Sequence, residues 1–248
     1  MQRYKLTLEY DGTKYCGFPK QPISTKSIEG LLEEAVYGIS KEKVKIIVSG
    51  RTDAGVHALG QVIHFDLNKA HEDFKVMSGM NYYLKNHDIA VLTCEKTDNN
   101  FHARFNSKQR HYKYLITNRR ARTVINKNRS WHVPLKLDVN LMIEASKYLV
   151  GTHDFSSFRH STCQASSATK TINKIEFFED LEKEMIEIYV SGNSFLQHMV
   201  RNIVGTLSRV GLKKMKPKKV KEILESKDRT KAGLSAPSHG LYFIGVDY

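Results

Sequence analysis

Cysteine is scarce in this chain, and acidic side chains are outnumbered. The three cysteines, Cys16, Cys94 and Cys163, are odd in number, far apart and without CxxC spacing. Such a pattern excludes a disulfide framework and a zinc site, and suits reduced cytosolic thiols. The eleven histidines are scattered, with no H-x-x-x-H spacing and no clustering with cysteine, so no metal is expected. Clustered carboxylates are missing as well, which argues against a metal-dependent nuclease. No apolar run approaches the ~20 residues of a membrane span. Residues 1–5 pass directly into an alternating pattern without the apolar core of a signal peptide. These absences point to the cytoplasm.

What is present is charge of one sign. Lysine and arginine total 39 against 26 aspartates and glutamates, for a formal net charge of +13. A surplus of that size suits an anionic partner, because each phosphate neutralised releases condensed counterions. Charge alone does not separate nucleic acid from an anionic membrane surface. Apolar residues make up 40% of the 248, enough to bury a core as one large domain or two small ones.

The order of elements follows from periodicity. Tyr4, Leu6, Leu8 and Tyr10 alternate with Lys5, Thr7 and Glu9, as in a strand with one buried face. Ser27 caps a helix with Ile28, Leu31, Leu32, Ala35, Val36 and Ile39 at helical spacing. A short strand over 44–48, an alternating strand over 61–67, a helix over 74–84 and a strand over 89–93 complete a β-α-β-β-α-β order. Residues 111–116, a helix capped by Asp138, an antiparallel pair over 174–178 and 184–190, and a helix from Ser194 restate it. Pro217 opens a final short helix, and residues 241–246 close the chain as a strand. No Pro-, Gly- or Ser-rich linker intervenes, and the turn Asp98-Asn99-Asn100 divides subdomains 1–100 and 101–248.

The most informative stretch is Gly50-Arg51-Thr52-Asp53-Ala54-Gly55-Val56-His57. It follows a β-branched run and leaves through Asp-Ala-Gly, a strand-to-loop transition that lifts a guanidinium and a carboxylate off a rigid element. Read locally, Asp53 is equally an Asx-turn residue, Arg51 a surface charge and His57 a histidine bonding its own loop.

This octapeptide resembles the signature of the TruA family of tRNA pseudouridine synthases. Further matching blocks follow in the family's order: residues 10–18 (YDGTKYCGF), 101–105 (FHARF), 154–159 (DFSSFR), 199–205 (MVRNIVG), Ala236-Pro237 and Gly240-Leu241-Tyr242. Pro19 stands where the family usually has Gln, and Lys170 where Arg is expected. The resemblance implies an α+β pseudouridine synthase fold, two ferredoxin-like halves sharing one mostly antiparallel sheet with helices on one side. It implies an isomerase acting on uridines 38, 39 and 40 of the tRNA anticodon stem-loop, without a cofactor, as a homodimer. Asp53 takes the catalytic place, Arg201 that of its paired cation, and Tyr112 that of the active-site tyrosine, contacting the uracil. Arg51 is expected on the phosphodiester beside the target. Tyr114, on the same strand face as Tyr112, is expected in the core.

Two basic clusters, Lys213, Lys214, Lys216, Lys218, Lys219 and Lys221 around Pro217 and Arg119, Arg120 and Arg122, are candidate phosphate tracks. A non-catalytic RNA-binding protein or tRNA chaperone would use the same basic surface, but has no need of Arg51, Asp53, Tyr112 and Arg201 together.

Overall fold

A computed structural model describes residues 1–21 and 26–248 and divides the chain into two compact units, Met1–Arg110 with Tyr242–Tyr248 and His111–Leu241. The first half of the chain supplies β1 (Gln2–Tyr10), α1 (Ile28–Ser40), β2 (Ile47–Val48), β3 (His57–Leu67), α2 (Asp73–Leu84) and β4 (Ile89–Thr97). After it come β5 (Gln109–Thr117), β6 (Trp131–His132), α3 (Val139–Ser146), β7 (Gly151–Asp154), β8 (Thr169–Asp180), β9 (Met185–Gly192), α4 (Met199–Gly211), α5 (Lys218–Ser226) and β10 (Leu241–Asp247). The architecture is mixed α/β with mostly antiparallel pairing, as the resemblance implies.

In the first unit the strands run β4-β1-β3-β10, with β2 paired to β3. The alternation read in β1 is realised, since Tyr4, Leu6, Leu8 and Tyr10 are buried. Tyr4 stacks on its cross-strand partner Phe65 at 5.8 Å, a contact that helps fix the antiparallel register. Ser27 Oγ accepts from Gly30 N at 3.1 Å to start α1, and Lys41 ends it in the left-handed region at φ 61°. Ile28, Leu31, Leu32, Ala35 and Val36 face inward, each large aliphatic contributing about 1.5–3 kcal/mol on burial. The strand expected over 44–48 shortens to Ile47–Val48. Below it the Glu42 side chain takes over, accepting from Asn68 N at 2.9 Å.

β10 pairs in parallel with β3 through Tyr242↔His57 and Phe243↔Ala58, so the end of the chain supports the segment that leaves the signature loop.

In the second unit the order is β5-β9-β8-β7, with β6 on β5. Asp138 caps α3 by accepting from Leu141 N at 3.2 Å. The helix expected from Ser194 begins five residues later. His198 sits at φ 62°, a left-handed conformation that α-helix cannot run through, while Leu196 is buried outside the helix. Within α4 the buried Asn202 amide donates to Phe158 O at 2.7 Å, and Arg229 donates to its carbonyl oxygen at 3.1 Å. Among the described residues, no helix is long and apolar enough to cross a membrane.

His64, buried on β3, accepts from Ala103 N at 3.1 Å through Nδ1. Burial, with lesser pushes from Arg3 and His102, lowers its pKa from 6.5 to about 4. Between those values the unfolded chain binds the proton that the folded one refuses, so stability falls as pH drops from about 6.5 to about 4. Thermal midpoints measured across that range should fall in the wild type and fall less steeply in His64→Asn, whose amide oxygen accepts without titrating.

Candidate active site

The signature loop is held from below by side chains that reason from periodicity treats as ordinary core. Gln61, fully buried on β3, donates from Nε2 to Gly50 O at 2.8 Å and to Tyr10 Oη at 3.2 Å. Its carbonyl oxygen accepts from Ser49 Oγ at 2.8 Å. Tyr10 Oη also meets Thr52 Oγ1 at 2.8 Å. Complete burial pushes the Tyr10 phenol up to about 12, against the hydrogen bonds from Thr52 and Gln61, so it stays protonated at neutral pH. Satisfied in this way, the network fixes residues 49, 50 and 52 with no buried polar group of Gln61 left over.

Thr52 points into the network and is buried, whereas Arg51 is exposed and Asp53 half-buried. The loop closes through Val56 N to Asp53 O at 3.1 Å, with Gly55 at φ 76°.

The block 10–18 packs against this loop by backbone. Phe18 N donates to Thr52 O at 2.9 Å, and Gly17 bridges Asp53 at φ 114°. A Cβ on Gly12 would stand 2.0 Å from Val56 O, so only glycine fits there. Gly12 N donates to Nδ1 of the buried His57 at 3.1 Å, and the His57 ring stacks on Tyr242 at 4.7 Å. His57 therefore joins the two motifs rather than only its own loop. Arg110 ties in a third, donating to Ser49 O at 2.8 Å and to Arg104 O at 3.1 Å through one nitrogen.

In the second unit Tyr112, 8% exposed on β5, packs edge-on against Phe195 with ring centroids 5.0 Å apart. Tyr114 is fully buried and donates to Pro237 O at 2.7 Å. Burial drives its pKa well above 10, opposed by the nearby Arg201 charge. Arg201, in the first turn of α4, donates from Nε to Ala236 O at 2.7 Å, while Ala236 N donates back to Arg201 O at 3.1 Å. The Ala236-Pro237 motif thus orients the guanidinium and seats the core tyrosine.

The expected phosphate tracks are partly neutralised by their own neighbours. Lys213 pairs with Asp138 at 3.4 Å, Lys219 with Glu222 at 2.7 Å and Lys221 with Glu225 at 3.7 Å. Arg119 approaches Glu184 at 3.8 Å. Among the described residues, no three His, Cys, Asp or Glu side chains gather closely enough to hold a metal.

Residues 7–106 and 145–248 match a family model described as tRNA pseudouridine synthase. Arg51, Asp53 and Arg201 fall inside the matched segments and Tyr112 between them. The chain is 48% identical over 246 residues to tRNA pseudouridine synthase A of Ehrlichia canis (strain Jake), covering 99% of this chain and 100% of that one. It is 46% identical to the protein of the same name in Ehrlichia chaffeensis (strain ATCC CRL-10679 / Arkansas), with the same coverage. Identity to that of Orientia tsutsugamushi (strain Ikeda) is 46%, with both chains covered completely.

Gln61→Leu keeps the volume but takes the partner from Gly50 O and Ser49 Oγ and leaves Tyr10 Oη with Thr52 alone. Urea unfolding should show a loss of about 1–3 kcal/mol for each partner left dry. A variant as stable as wild type would mean that the network does not hold the loop.

Proposed function

This chain belongs to the tRNA pseudouridine synthase family, and on that premise we propose that it isomerises uridines 38, 39 and 40 of the anticodon stem-loop with Asp53 as the catalytic residue. Pseudouridine formation breaks the C1′–N1 glycosidic bond, turns the base and joins C1′ to C5, while C5 gives up its proton. Nothing is oxidised and no phosphoryl group moves, so the chemistry calls for no cofactor. It calls for a carboxylate held still, an apolar and shielded pocket for uracil, and a group that moves a proton.

The observation that carries the reading is the anchored loop. Residues 49, 50 and 52 are hydrogen-bonded from beneath, while Arg51 is exposed and Asp53 half-buried. A carboxylate so mounted needs little reorganisation to act at C1′ or C6, or to move a proton along a glycal route.

In this reading Arg201 has the part of the cation paired with the catalytic aspartate, its guanidinium steadied by Ala236 O. Tyr112 lies against the uracil with Phe195 behind it. Its hydroxyl moves the late proton from C5. Arg51 engages the phosphodiester of the extruded nucleotide, as base flipping requires a hold on the backbone. The N-terminal subdomain 1–100 then brings the catalytic loop, and subdomain 101–248 the tyrosine and the arginine. The enzyme acts in the cytoplasm as a homodimer, a placement that suits its three free cysteines.

Asp53→Asn is isosteric but can act neither as nucleophile nor as base. With tRNA tritiated at uridine C5, the variant should release no tritium above background while binding tRNA with nearly wild-type affinity. Activity near wild type would remove Asp53 from its role.

Tyr112→Phe retains the ring and its packing on Phe195. Binding should be preserved and tritium release slowed. Equal release rates in variant and wild type would remove the proton-transfer role.

A further inference from the structure

Phe105 is 76% exposed, yet the turn that carries it is closed by its own hydrogen bonds. His102 Nδ1 accepts from both Arg104 N and Phe105 N at 3.2 Å. Asn106 N donates to His102 O at 3.0 Å, and the Asn106 side chain accepts from His102 N. Ser107 Oγ donates to Arg104 O at 2.7 Å. Beneath, the fully buried Ala103 gives its amide to His64 Nδ1 and takes the Tyr248 hydroxyl on its carbonyl at 2.8 Å.

Single exposed apolar side chains are ordinary on protein surfaces. This one differs in how it is mounted. The His102 ring lies along the Phe105 ring, centroids 4.3 Å apart and planes 30° apart, so one face is backed and the exposed area belongs to the remainder. The Arg104 guanidinium stands 5.8 Å from the ring centroid. Lys43 and Lys45 line a cavity of about 450 Å³ that His102 also lines. Arg110 connects the turn to the signature loop through the shared hydrogen bonds to Arg104 O and Ser49 O.

We propose that Phe105 and Arg104 form a platform on which an unpaired base of the tRNA stacks, with Arg104 meeting that nucleotide's phosphate. The inference rests on the tRNA reading above. An aromatic face backed by a second ring accepts any base, because every base has a π-face, and the adjacent cation favours the phosphate that accompanies it. The rigid turn lowers the ordering cost of binding, which a floppy exposed phenylalanine would have to bear. Its tie to Ser49 keeps the platform in register with the residues that precede Arg51, so a base held there sets the approach of the neighbouring target.

Binding of a synthetic anticodon stem-loop hairpin at fixed salt tests the platform. Phe105→Ala should weaken the Kd roughly 5- to 150-fold, the range for one lost stack. Phe105→Tyr, which keeps the aromatic face, should stay within about twofold of wild type. Phe105→Ala binding as tightly as wild type would overturn the proposal, and so would Phe105→Tyr losing as much as Phe105→Ala. A change in sedimentation of Phe105→Ala with unaltered RNA affinity would make the face a contact between protein copies, which also overturns it. Tritium release by the wild type is recorded in parallel. Its absence strikes at the synthase reading, whereas the hairpin affinities bear on the platform alone.

Discussion

The fold and the proposed chemistry both depend on the satisfaction of one buried amide. Gln61 lies on a strand whose other residues are almost all buried, where an unpaired polar group costs about 1–3 kcal/mol. Its hydrogen-bonding groups are spent on Ser49, Gly50 and Tyr10, and Tyr10 passes the constraint to Thr52. Three points over four residues, 49, 50 and 52, leave the backbone little freedom. With Thr52 held in the network, Arg51 is left exposed and Asp53 half-buried. A hydrogen-bonded core network thus fixes the backbone on which the proposed catalytic carboxylate is mounted.

Glycines extend the same logic to the neighbouring motif. Gly12 and Gly17 let the 10–18 segment lie directly on the loop, where a side chain at either place would meet backbone at 2.0 Å or 2.9 Å. His57, Arg110 and the parallel strand β10 then draw in the chain end and the FHARF turn. Motifs that look separate along the sequence are, within the first unit, consecutive layers around residues 49–57. The overall positive charge has a different role, since several lysines near Pro217 are matched with local acids. It raises encounter with an anionic partner more than it shapes any one contact.

Much of this was legible from residue order. Alternation in β1, the Ser27 and Asp138 caps and the apolar stripe of α1 depend on neighbours within a few positions, and pattern reads such interactions well. Glycines on either side mark the loop of Arg51 and Asp53 as a turn, but its proposed chemistry came from the resemblance and not from local pattern. What pattern does not carry is the identity of distant partners. Gln61 reads as a polar position in an alternating strand until Tyr10 and Gly50 are seen around it, though a glutamine in so apolar a run is itself a signal. The pairing of β10 with β3 spans most of the chain and leaves no local trace. The start of α4 was displaced because His198 adopts a left-handed conformation that a histidine does not advertise. His57 likewise looked self-contained, and its partner is Gly12.

Unmodified tRNA transcript, incubated with the purified chain in EDTA and then mapped for pseudouridine by carbodiimide labelling and primer extension, shows in one assay what the protein does to tRNA. The account predicts pseudouridine confined to uridines 38, 39 and 40. Tight binding of the transcript with no pseudouridine formed, or modification outside the anticodon stem-loop, would contradict it.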